Sequence, residues 1–519
     1  MIKLNLHPVR ISTMAFLFFV SIPTIAQKED YNWLSGYNSN IGYDTGWGFY
    51  FGTSILDFNN TPVAVSYDSL EINFYRTNTS YSSNDGTILF YTNGVHIRNS
   101  LNKKIQNADS INWGPYITNF YPPAATKGHL TTQGVFAFQS PSAVNQYYII
   151  NTYLDTVLGG SVGVTQIRYH LLDMDANAGH GLLIERDLSI LDDLINWEMT
   201  AVRHGNGRDW WIISRKTNSN CYHRLLLDHT GLNYLPNLYC GGTSITIPNS
   251  DVGAFAASPD GSRVAHFSIF TGINIFDFDR CSGELSNPIN IPVPNLIDSG
   301  FSAGGAAISP NGRFLYIGII KYVLQYDLQA PDIAASVDTV AVYDGYQSPI
   351  GSVFYTMQLG PDGKIYESCG ATETVYHVIN YPDKKGDSCG FVQHGIQLPS
   401  PSGGVPNFPN YRLGALSGSA CDTLGTGLTS SPSGRIEVGL YPNPATEFVV
   451  IDYATAADWS KGELHLYIYD TKGAVIHKQP LPMYSGFQKI ACTQWPNGVY
   501  QATIKRGETT IATGRVVKN

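Results

Sequence analysis

Four residues in one short stretch carry the side chains of acid–base chemistry. His204 lies close to Glu198, Arg203 and Asp209 and next to Trp210 and Trp211. A histidine titrating near neutrality, with a carboxylate to orient it, is the pairing that general acid–base catalysis uses. His204, Glu198 and Arg203 are therefore the catalytic candidates. The plainer reading is that a His and an Asp at a strand end bond between strands and hold a turn. Without a second positioned carboxylate, no reaction class follows.

A second candidate is Asp173, Asp175 and Asn177, which place oxygens at alternating positions, as calcium loops do. The sixth position of such a loop needs Gly and holds Ala178, and the twelfth needs Glu and holds Ile184, so a solvated turn is favoured over a metal site. Neither a Gly-x-Ser-x-Gly elbow, nor His-Glu-x-x-His, nor a phosphate loop occurs, and no cofactor is implied. There is no Cys-x-x-Cys pair, so zinc has no support. Seven cysteines favour disulfides if the chain is exported, and the odd number leaves one free. Cys221 and Cys240 flank the turn His229-Thr230-Gly231-Leu232 almost symmetrically, which predicts a bridge across a hairpin. Cys281, Cys369, Cys389 and Cys421 cannot be paired from the sequence, and Cys492 stands alone near the end of the chain.

The elements that must carry these residues form a repeat. Ser258-Pro259-Asp260-Gly261, Ser309-Pro310-Asn311-Gly312 and Gly360-Pro361-Asp362-Gly363 each stand between apolar runs. Pro presets φ and Gly accepts a positive φ, so each reads as the turn of a β-hairpin. Two more apolar segments follow each hairpin. Four antiparallel strands repeated at a steady period predict the blades of a β-propeller. Looser copies start at Asn84-Asp85-Gly86, Asn145 and Gly205-Asn206-Gly207. The six copies lie roughly 51 to 62 residues apart, longer than the roughly 40 to 50 of common propellers, which implies long loops on one face. Trp47–Phe58 and Gly404–Leu413 are left over, and joining the two ends in one blade gives seven blades, with six or eight as alternatives.

At 519 residues the chain exceeds one core, and 33 Tyr, 23 Phe, 51 Gly and only 14% charged residues lean towards an all-β fold. A net charge of -9, without a basic run, excludes a nucleic-acid or anionic-membrane footprint. Lys3 and Arg10, an apolar run from Met14 and the small residues Thr24 and Ala26 have the layout of a signal peptide over 1–26, cut between Ala26 and Gln27. No later stretch is long and apolar enough for a transmembrane segment. The propeller then spans 27–413, a Ser/Gly/Thr-rich flexible linker 414–434 and a small Ig-like β-sandwich 435–519.

In that last module, Tyr441-Pro442-Asn443-Pro444, a strand ending Tyr469-Asp470 before a Gly turn, Pro496-Asn497-Gly498-Val499-Tyr500 and a terminal basic strand occur in order. This module resembles the type IX (Por) C-terminal sorting domain of Bacteroidetes. Pro442, Asn443, Pro444, Gly498 and Tyr500 carry the motif. The resemblance implies export through the outer membrane by the type IX machinery, removal of the domain, and release or attachment at the surface. The propeller resembles uncharacterised secreted propellers that accompany this domain, through Leu89-Phe90-Tyr91-Thr92-Asn93-Gly94, the stretch Ala201–Trp211, Phe276-Asp277-Phe278-Asp279-Arg280-Cys281 and Pro406–Gly414. Asp109-Ser110-Ile111, Asp155-Thr156-Val157 and Asp338-Thr339-Val340 are similar to the O-glycosylation pattern of Bacteroidetes.

The expectation is a monomeric, secreted or cell-surface propeller, passing through the periplasm, that binds an extracellular protein or glycan through its loop-bearing face. Tyr and Trp on loops suit sugar stacking, although most aromatics must fill the cores between blades. The alternative is a propeller hydrolase or lyase acting on extracellular polysaccharide or protein.

Overall fold

The structure is a computed structural model. It describes residues 27–74, 76–120, 128–157, 160–242, 253–292, 304–422, 437–441, 444–454, 464–481, 486–507 and 509–518. The expected signal peptide lies outside the described residues, as do Pro442 and Asn443.

Each repeated turn folds as its chemistry dictates. In the turn beginning at Ser258, the Gly261 amide donates to Ser258 O, Ser258 Oγ donates to Asp260, and the Arg263 amide donates back to Ser258 Oγ. The turns at Ser309 and Gly360 repeat the backbone bonds, and Gly261, Gly312 and Gly363 take φ of 72°, 71° and 78°. A β-carbon is disfavoured there.

These turns close antiparallel sheets that make seven blades. Blade 2 is Thr79–Ser82, Ile88–Thr92, His96–Asn99 and Lys104–Asp109. Blade 5 is Ala254–Ala257, Arg263–Ser268, Gly272–Asp279 and Glu284–Ile291, blade 6 runs over 305–342, and blade 7 over 356–402. Blades 3 and 4 share the strand Leu182–Arg203. Its first part is the outer strand beside Val162–Asp173, and from Met199 it is the inner strand beside Trp210–Lys216. A register irregularity between Ile195 and Met199 marks the change of partner, so no loop is needed between the two blades.

Blade 1 has three paired strands, Asn32–Gly36, Thr53–Asp57 and Ala64–Asp68. Beside Asn32–Gly36 runs the segment 404–412, antiparallel to it and without a backbone ladder. Ser35 Oγ donates to Gly404 O at 2.7 Å, Trp33 and Phe408 rings are 6.0 Å apart, and Arg412 forms an ion pair with Asp30. The two chain ends thus close the ring, through side chains. The core lies between neighbouring sheets: Phe267, Ile275, Ile308 and Ile317 fill the space between blades 5 and 6, and Tyr316, Phe354 and Ile365 that between blades 6 and 7.

The C-terminal module has two sheets, one of Glu437–Tyr441, Phe448–Ala454 and Gly486–Ala491, the other of Val475–Leu481, Leu464–Tyr469, Gly498–Arg506 and Thr509–Lys518. Val449, Ile451, Leu466, Ile468, Ile504 and Val516 form its core.

Candidate functional site

The central channel is where a propeller enzyme would gather its chemistry, and here the chain itself fills it. Segment 404–412 lies along the axis: the Asn407 amide donates to Asn78 O, Asn407 Nδ2 to Val135 O, Tyr411 Oη to Ala137 O and Asn410 Nδ2 to Pro259 O. It therefore touches blades 2, 3 and 5 as well as blade 1. Two of the spaces beside it, of about 20 and 80 Å³, are walled by Gly253, Ala254, Gly304, Gly305, Ala306 and Met357 among others.

The segment is also fastened where it leaves the channel. Arg280 Nη2 donates to Gly414 O, the Leu416 amide donates to Gly205 O at 2.7 Å, and Cys421 is disulfide-bonded to Cys281. The first part of the expected linker, 414–422, is thus held against the propeller. Cys221 and Cys240 form the second disulfide, as directly opposed residues of one hairpin. Cys369, Cys389 and Cys492 are free and buried, so three thiols rather than one stay unpaired.

The predicted acid–base cluster does not assemble. Glu198 and His204 stand near opposite ends of the inner part of Leu182–Arg203. Glu198 is fully buried and pairs across to blade 5: its Oε1 meets His266 Nε2 at 2.8 Å, and Oε2 accepts the Gly253 amide at 3.3 Å. Burial pushes its carboxyl up to about 7. His204 holds a turn, in the place Ser258 occupies in blade 5. Its Nδ1 accepts the Asn206 amide at 3.1 Å, and its Nε2 meets Cys281 O at 3.0 Å. The Asp209 carboxylate is engaged by Arg208 at 2.7 Å and Asn206 at 2.6 Å, and His204 meets Asp209 only through the backbone, its amide donating to Asp209 O at 2.8 Å. Arg203 stacks over Trp210 with its Cζ 4.5 Å from the ring. The pairing of Glu198 with His266 was hidden in the sequence, because 68 residues separate them.

Asp173 Oδ1 accepts the amides of Asp175 and Ala176, and Asp175 accepts from Asn145 Nδ2. Asn177 Nδ2 points to Gly181 O at 3.5 Å. The three are spread around a turn, and no group of three metal-ligating side chains occurs among the described residues.

At the far end of strand Asn32–Gly36 from Asp30, the chain forms a small aromatic hairpin, Tyr43–Asp44 paired with Phe49–Tyr50. Asp44 Oδ1 accepts the amides of Gly46 and Trp47, and Gly48 at φ 78° completes the turn. Tyr43 packs on Tyr50 at 4.8 Å between ring centres, and Trp47 leans on Phe49 at 5.9 Å. Trp47 is 51% exposed, Tyr50 64% and Tyr43 50%, with Ile41 and Tyr67 exposed nearby. Lone exposed apolar residues are ordinary, but three large ones on one small hairpin with two more beside it are not.

In the C-terminal module the pieces of the expected sorting motif meet at the last strand. Pro444 leads into Ala445, whose amide donates to Val517 O at 2.7 Å, while Gly498 pairs with Lys518 and Tyr500 with Val516. Tyr500 is buried, its Oη donates to Pro496 O at 2.6 Å, and its ring lies 4.9 Å from that of Trp495.

Among solved structures, the chain is similar to a functionally unknown protein from Desulfotomaculum acetoxidans, at 12% identity and a TM-score of 0.37, covering 73% of this chain and 99% of that one. It is also similar to the Pseudomonas aeruginosa periplasmic gluconolactonase PpgL, at 13% identity and a TM-score of 0.33, covering 89% and 99%. A third is the dihydro-heme d1 dehydrogenase NirN, at 12% identity and a TM-score of 0.34, covering 92% and 79%. Likeness at this level bears on neither ligand nor reaction. No curated protein matches. No helix among the described residues is long and apolar enough to cross a membrane. Residues 439–519 match the family model of the secretion system C-terminal sorting domain, so the chain is a type IX secretion-sorted protein, exported to the medium or the cell surface.

Proposed function

We propose that the protein is a non-catalytic propeller that binds an extracellular protein or glycan through the face bearing the aromatic hairpin 43–50. The observation that carries this reading is the exposure of Tyr43, Trp47 and Tyr50 on a hairpin pinned by Asp44. Aromatic rings on a pinned turn lose little conformational freedom on binding and offer flat faces to sugar rings or apolar side chains. The filled channel supports the same reading, since the usual seat of propeller chemistry holds segment 404–412 instead. In this account the signal peptide 1–26 is removed between Ala26 and Gln27, and the C-terminal domain engages the type IX machinery.

The test is a binding screen of the purified protein against immobilised glycans and cell-surface proteins, run beside the double variant Trp47→Ala, Tyr50→Ala. Binding that the variant weakens by tenfold or more supports the proposal. Turnover of an extracellular polymer by the wild type would favour an enzyme instead.

A further inference from the structure

A cavity of about 310 Å³ opens where blade 1 begins, at the opposite end of strand Asn32–Gly36 from the aromatic hairpin. Glu29, Tyr81, Gln139, Arg203 and Tyr411 are on its wall. The volume is at the lower end of the range for small-molecule sites, roughly 300 to 1,000 Å³. Two of its three charged groups are unusual. Glu29 is buried, and its Oε2 has no hydrogen-bond partner. The Arg203 guanidinium is clamped by Trp210 at 4.5 Å and by its Nη1 bond to Gly207 O at 2.9 Å, while its Nε is buried and unpartnered.

Glu29 and Arg203 attract each other but form no ion pair. Burial pushes the Glu29 carboxyl up and the Arg203 guanidinium down. Two desolvated, opposite charges that face one cavity without touching offset each other's burial only in part, through space. The other arginine on the rim, Arg208, is already paired with Asp209 at 2.7 Å. A ligand that neutralises only Arg203 would bring a second negative charge towards Glu29, and one that neutralises only Glu29 would bring a positive charge towards Arg203. One molecule carrying both charges removes both penalties.

We propose that this cavity binds a small zwitterion, an amino acid or dipeptide whose carboxylate meets Arg203 and whose ammonium group meets Glu29. A guanidinium suits a planar carboxylate, and the pair fixes the ligand's direction in the cavity. This site is separate from the aromatic hairpin, and each can fail without the other.

The test is isothermal titration of the full chain with alanine and alanylalanine, beside propionate, ethylamine and lactate, which carry only one of the two charges. Alanine or alanylalanine is expected to bind, the three controls are expected to bind at least tenfold more weakly, and Glu29→Gln and Arg203→Gln are each expected to weaken binding by about tenfold or more. Glu29→Gln keeps size and shape, so it decides the matter if Arg203→Gln lowers the melting temperature. No binding of either zwitterion, lactate binding as tightly as alanine, or a folded Glu29→Gln binding like the wild type would overturn the proposal.

Discussion

The buried carboxylates set how stability responds to pH. Glu373 is fully buried beneath the turn 369–372 of blade 7, with Oε1 accepting the Cys369 amide at 2.6 Å and the Ser368 hydroxyl. Burial pushes it up to about 8, and the buried Glu367, whose carboxylate oxygens have no partners, is raised as well by burial and by Glu373. A carboxyl raised in the folded state contributes stability that is fully present below its unfolded value and is lost as pH rises through the folded one. The melting temperature is therefore expected to fall between about pH 4.5 and pH 8, and Glu373→Gln is expected to flatten that fall in thermal melts at matched ionic strength. An identical slope in the variant would remove Glu373 as its source. At the same scale, His204 acts as a turn residue. His204→Ser keeps an acceptor of the kind that Ser258 and Ser309 provide, and is expected to cost less than His204→Ala, which should lose about 1 kcal/mol in denaturant unfolding.

Among the elements, the turns were the most legible part of the sequence, because Pro-Asp-Gly chemistry is local and repeats. The Cys221–Cys240 bridge was legible for the same reason: both cysteines belong to one hairpin. The path of 404–412 was not, since its bonds go to Asn78, Val135 and Pro259, residues that only the closed ring brings together. The Cys281–Cys421 bridge was equally hidden, at a separation of 140 residues. Such a bridge closes a long loop and restricts the unfolded chain strongly. Cys421→Ser is expected to destabilise the propeller by about 2 to 4 kcal/mol and to expose 414–422 to limited proteolysis. Unchanged melting and digestion would show that the bond fastens nothing.

For the molecule as a whole, the sequence carried the architecture and the address better than the contact surface. Blade repetition and the terminal motif are written in turn residues and their order. Which aromatics face outward is not: Tyr43, Trp47 and Tyr50 look like core residues in composition, and only the hairpin beyond Gly42 turns them to solvent. Deleting 439–519 is expected to leave the protein inside the cell envelope, measured by fractionation. The central claim is that this exported propeller works by binding through that hairpin. Its most direct test is the affinity of the wild-type protein and the Trp47→Ala, Tyr50→Ala variant for the best ligand of the glycan and surface-protein screen. A loss of tenfold or more with an unchanged melting temperature is expected, and equal affinity of the two proteins would rule out the hairpin as the binding surface.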